Sequence, residues 1–102
     1  MNPEDCKSIE EIRQAIDEID CQILKLFSER YTFVKEVVKF KTDAASVIAE
    51  NRQKEVLAQR REWATELGLN PDLFENMYKM LMHHNIQQEL KMLGNANTKQ
   101  LK

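Results

Sequence analysis

Ten positions near the amino end fall on one helical stripe, and nine of them are apolar: Ile9, Ile12, Ile16, Ile19, Ile23, Leu26, Arg30, Phe33, Val37 and Phe40. The steps alternate strictly between three and four, which places all ten on one seam of an α-helix. Ser8-Ile9-Glu10-Glu11 opens it as a capping box, with Ser8 as cap and Glu11 reaching back. The pattern predicts a first helix to about Thr42. A loop is expected over 42–51, where small residues (Ala44, Ala45, Ser46) carry weak periodicity. A second helix is expected over 52–67, with Val56, Leu57, Arg60, Trp63, Ala64 and Leu67 on one side and Gly68 as its left-handed terminator. A third begins with Asn70 as cap and Pro71 in the first turn, and ends near Leu93, before Gly94. No alternating strand pattern occurs, so the expected class is all-α, with three helices per chain and one of them very long. The expected domain is 1–94, followed by a frayed polar tail over 95–102.

The length of the first helix has a consequence. About 34 residues at 1.5 Å each span roughly 50 Å, whereas a compact chain of this size has a radius of gyration of about 13 Å. The helix overhangs its own domain with an apolar seam to its far end, so a second copy is expected to cover it in an intertwined homodimer.

Composition narrows the function classes. With 102 residues there is room for one domain. A net charge of −2 argues against nucleic acid as a partner. There is no long apolar run and no charged-then-apolar leader, so neither a membrane span nor a signal peptide is expected. Cys6 and Cys21 have no metal-like spacing and read as reduced thiols of a cytoplasmic protein. The adjacent His83 and His84 are a poor metal signal, and no metal or cofactor is expected.

The candidate chemistry lies in polar residues at apolar positions. Arg30 sits on the seam, and a guanidinium cannot shed its charge to escape desolvation, so it needs an anion beside it. Lys41, eleven residues on, would lie about 20° away on a continuous helix and roughly 16 Å along it, so that the two cations could flank one small anion. Arg13 lies roughly 25 Å from Arg30, too far to share a small ligand within one chain, but in an antiparallel dimer it can approach the partner's Arg30. The inward stripe of the third helix reads Phe74, Met77, Tyr78, Leu81, Met82, Asn85, Ile86, Glu89, Leu90, Leu93. Asn85 and Glu89 stand one turn apart on it, where a carboxylate either pairs with a cation or has its pKa raised by desolvation. Arg52 and Gln53 open the second helix beside the expected loop. Several cations, a carboxylate and an amide on apolar faces point to a small dianion in a dry site. A buried ion pair between Arg30 and Glu89 that fixes dimer register would account for part of the pattern without a ligand.

These positions, in this order, resemble the all-helical chorismate mutase family. The resemblance runs from Pro3 to about Lys91. It is strongest in Ile12-Arg13-Gln14-Ala15-Ile16-Asp17-Glu18-Ile19-Asp20, with Arg30 and Phe40-Lys41 following at the family's spacing. Within the family the chain is most similar to the isochorismate-pyruvate lyase branch, through Pro3-Glu4-Asp5-Cys6, Arg61-Glu62-Trp63-Ala64, Gly68-Leu69 and His83. The resemblance implies a dimer with two sites, each using Arg13 of the partner chain with Arg30, Lys41, Arg52, Gln53, Asn85 and Glu89 of its own. Arg30, Lys41 and Glu89 would be catalytic, and Arg13, Arg52, Gln53 and Asn85 would bind substrate.

The implied reaction is the rearrangement of chorismate to prephenate. It is concerted and needs no nucleophile; the enzyme folds the substrate into its reactive conformer and places donors where charge develops on the ether oxygen. Glu89 stands where many relatives have glutamine. A carboxyl donates a hydrogen bond only when protonated, so a raised pKa and activity that falls with rising pH are expected. Gln53 stands where mutases often carry a glutamate facing the ring hydroxyl. The implied rival activity is elimination of pyruvate from isochorismate, giving salicylate. A reading from a different class is an inactive helical dimerisation or regulatory module, which would have no use for clustered cations.

Overall fold

The computed structural model describes the backbone of residues 2–100 and the side chains of residues 2–94. The elements are α1 (Ile9–Val37), α2 (Ala44–Ile48), α3 (Glu50–Glu66) and α4 (Pro71–Gln100), with single 3-10 turns at Pro3–Asp5 and Val38–Phe40. No strand occurs among the described residues, so the fold is all-α, with one long first helix. The chain divides into two units, Met1–Phe33 and Val34–Lys102.

The first unit is a 3-10 turn and most of α1. Ser8 Oγ accepts from the Glu11 N–H at 3.2 Å, as the capping box predicts. The Glu11 carboxylate reaches one residue further back than expected and accepts from the Lys7 N–H at 2.7 Å. α1 buries none of its residues. Its seam stands in the open: Ile9, Ile12, Ile16, Ile19, Ile23, Leu26 and Phe33 are all exposed, Phe33 by 67%.

In the second unit α2, α3 and the turn Val38–Phe40 all pack on α4. The buried apolar residues among those described are Val47, Val56, Ala64, Met82 and Leu93. α3 ends as its sequence predicts. Gly68 adopts φ 75°, its N–H donates to the Thr65 carbonyl, and the Leu69 N–H donates to the Ala64 carbonyl at 2.8 Å. That bond pair is the Schellman closure, which requires a residue able to enter the left-handed region. Asn70 caps α4, its Oδ1 accepting from the N–H groups of Asp72 and Leu73. Arg61 then ties the hairpin shut, its Nη1 lying 2.6 Å from Asp72 and 2.7 Å from Glu75. Those two carboxylates hold the Arg61 guanidinium pKa above its ordinary value.

Three boundaries depart from expectation. α1 stops at Val37 and tightens into a 3-10 turn, a common way for a helix end to close. The segment read as a loop contains α2, whose Asp43 cap and Ala44-Ala45 start favour a helical turn. α4 does not end at Gly94, which has no positive φ; a glycine weakens a helix interior but stops one only by turning left-handed. Apart from the helical backbone to Gln100, the tail expected over 95–102 lies outside the described residues.

Candidate active site

Asn85 and Glu89 are the buried polar pair of α4, 6% and 8% exposed. The stripe that predicted them is the face α4 turns inward: Met82 and Leu93 are buried beside them, Phe74, Tyr78, Leu81, Ile86 and Leu90 are half-buried, and Met77 alone is exposed. Helical spacing of one turn puts the amide and the carboxyl on the same line. A carboxyl so placed gives up solvation and depends on the groups around it.

Lys41 is half-buried and follows the 3-10 turn that packs on α4. Its backbone is extended, at φ −103° and ψ 137°, and its N–H closes the turn onto the Val38 carbonyl. Lys41 therefore lies beyond the helix that carries Arg30, and the expected shared face of one continuous helix does not hold. An extended residue re-aims its side chain, which helical spacing cannot anticipate.

Arg52 and Gln53 lie in the first turn of α3. The Arg52 guanidinium is largely exposed and pairs with Glu55 at 2.5 Å. Gln53 is half-buried, and its Nε2 donates to the Ile48 carbonyl at 2.7 Å. A shallow, open depression lined by Ala45, Ile48, Ala49, Glu50, Asn51 and Arg52 marks this junction. Asp43 holds α2 in place, its Oδ1 accepting from the Ser46 N–H at 2.8 Å, and these bonds to Ser46 set its carboxyl below the ordinary aspartate pKa.

Arg13 and Arg30 belong to the first unit. Arg13 is exposed and Arg30 half-buried, on the seam as predicted. The second unit thus gathers Lys41, Gln53, Asn85 and Glu89 on α4 or on elements packed against it. Arg52 turns to its own helix. Sequence reasoning did not find α2, nor the bond from Gln53 to Ile48; the one local signal was Asp43 three residues before Ser46. Among the described residues no group of three or more His, Cys, Asp or Glu side chains is placed to hold a metal ion. No helix among them is long and apolar enough to cross a membrane.

Comparison with known proteins gives this arrangement a context. Residues 12–90 match the family described as chorismate mutase type II. An isochorismate pyruvate lyase of Pseudomonas aeruginosa is 35% identical over 89 residues, covering 87% of this chain and 88% of the lyase. A chorismate mutase of Methanocaldococcus jannaschii is 31% identical over 80 residues, covering 78% of this chain and 81% of that protein. A T-protein of Enterobacter agglomerans is 32% identical over 79 residues, which make up only 21% of its length. The family match covers α1 from Ile12 onward, all of α2 and α3, and Asn85 and Glu89 of α4. The chain belongs to the type II chorismate mutase family.

Proposed function

We propose that the protein is a chorismate mutase that rearranges chorismate to prephenate by conformational and electrostatic catalysis. The observation that carries this reading is the buried Asn85–Glu89 pair on the apolar face of α4, inside the stretch that matches the family. In the reaction the ether C–O bond breaks while a C–C bond forms, with no covalent enzyme intermediate. Lys41 and protonated Glu89 donate to the ether oxygen as charge develops there. Arg30 and the Arg13 of a second chain take the two carboxylates as planar forks. Arg52, Gln53 and Asn85 hold the rest of the substrate. For Arg52 this means exchanging the Glu55 carboxylate for one on the substrate, an exchange that a solvent-exposed pair permits at little cost.

The working unit in this reading is a homodimer. What supports it is the open seam of α1, whose large apolar side chains find no cover within one chain. The enzyme would act in the cytoplasm, consistent with Cys6 and Cys21 as thiols.

A second activity, elimination of pyruvate from isochorismate to give salicylate, is favoured by one observation, the 35% identity to a protein of that name. The same groups would bind two carboxylates and an enolpyruvyl ether. Incubation with chorismate and isochorismate separately, following substrate loss and salicylate fluorescence, decides between them. Prephenate formed rapidly from chorismate establishes the mutase. Salicylate at a much higher kcat/KM moves the protein to the lyase branch. Survival of both substrates at acidic and neutral pH leaves a helical binding module.

A further inference from the structure

A single residue, Ala49, separates α2 from α3. It ends one helix and begins the next in a left-handed conformation, φ 46° and ψ 61°. It is the one non-glycine residue with positive φ among those described. A Cβ in that region crowds the following carbonyl, and the conformation persists only where the surroundings hold it. Both backbone groups of Ala49 are used: its N–H donates to the Ala45 carbonyl, and its carbonyl accepts from the Gln53 N–H, each at 3.0 Å. The left-handed turn throws the preceding carbonyl, that of Ile48, out of the helical ladder. The Gln53 side chain takes it up at 2.7 Å. A carbonyl only accepts, so the amide must present its nitrogen there, which leaves Oε1 facing away. Gln53 thus grips the junction twice, by its main chain at Ala49 and by its side chain at Ile48.

We propose that Gln53 is a positioning residue whose amide nitrogen locks the left-handed junction and so fixes where its neighbour Arg52 is presented, leaving Oε1 as an acceptor for a substrate hydroxyl. The proposal rests on the assignment of Arg52 to the substrate site. It gives the glutamine a role that the glutamate expected in a mutase cannot fill while ionised. An ionised carboxylate would set oxygen against the Ile48 carbonyl, whereas a protonated one would still donate.

The test compares wild type, Gln53→Glu and Gln53→Ala from pH 4 to pH 8. The readouts are amide hydrogen exchange over residues 45–53 and kcat/KM on chorismate and isochorismate, each taken as a ratio to wild type at the same pH. Asp43, Glu50 and Arg52 at the junction, and His83, His84 and Glu89 on α4, are common to all three proteins, so their titrations cancel. Gln53→Glu is expected to lose protection near pH 8 together with about tenfold in kcat/KM, chiefly through KM, as for one lost hydrogen bond. It regains both toward pH 4 as its carboxyl protonates, while Gln53→Ala stays low throughout. Gln53→Glu that keeps its protection and activity near pH 8 overturns the proposal. So does a loss in Gln53→Glu that does not recover with acid. If wild type turns over neither substrate, the functional reading fails, and the exchange ratios alone still decide the role of Gln53.

Discussion

Asp43 and Ser46 cap each other: the aspartate Oδ1 accepts from the Ser46 N–H at 2.8 Å, and the Ser46 hydroxyl lies 3.3 Å from the Asp43 N–H. This reciprocal box starts a five-residue helix that would not form in isolation. The Asp43 carboxyl has a lowered pKa, so its contribution is complete above the ordinary aspartate range and lost as pH falls through the lowered folded value. Acid titration followed by amide exchange is expected to open α2 before α3 or α4. Asp43→Asn, still an acceptor, removes that acid response and keeps the helix at neutral pH; Asp43→Ala loses protection at every pH.

In the proposed reaction Glu89 would supply a second pH dependence, of opposite sense. As donor to the ether oxygen it would work only when protonated, so kcat/KM is expected to fall as pH rises. Glu89→Gln donates at any pH and is expected to flatten the profile, whereas Glu89→Ala costs about 10²-fold at the acidic end. Loss of activity in Glu89→Gln at every pH removes the donor role.

Arg30 separates an enzyme from a structural module. Arg30→Leu is expected to lower kcat/KM by about 10³-fold, because a carboxylate loses its fork. Unchanged turnover would count against the substrate role.

The proposed contribution of Arg13 across a dimer has a direct assay. Arg13→Ala and Arg30→Ala, each inactive alone, are unfolded together and refolded as a mixture. Half the dimers are then mixed, and each carries one intact site of two, giving about a quarter of wild-type activity. A mixture no more active than its parts removes the role of Arg13 across a dimer.

Arg60 lies 4.7 Å from the Trp63 ring centroid and 5.7 Å from that of Tyr78, joining α3 to α4. Its Nε is buried without a hydrogen-bond partner, so its attraction to the rings is what offsets that burial. Arg60→Ala is expected to destabilise the protein by about 1 kcal/mol in denaturant unfolding, with little change in kcat/KM.

What was legible in the sequence was local chemistry with one outcome. Asn70, Gly68 and Ser8 each have a role that their neighbours cannot alter, and each is found in it. The α4 stripe was equally plain: a 3.6-residue period put Asn85 and Glu89 on the buried face, and both are there. Less legible were features whose outcome depends on packing. Five residues carry no usable period, so α2 was hidden. Gly94 reads like Gly68, yet only a left-handed backbone makes a glycine a stop. Lys41 was placed by extending a helix that ends at Val37, and Gln53 acquires its partner only because Ala49 turns the Ile48 carbonyl outward. The pairing of Arg52 with Glu55 along its own helix is likewise one of several that its spacing allows.

The bare seam of α1 sets a limit on how this protein comes into being. A ribosome finishes the isoleucine ladder long before α4 exists, and no later residue of that ladder becomes buried within the same chain. In the proposed homodimer, maturation would be a bimolecular event: refolding should be second order at low protein concentration, and melting temperature should rise with protein concentration. Supply of a second nascent chain, rather than any property of one, would set how much working protein a cell holds.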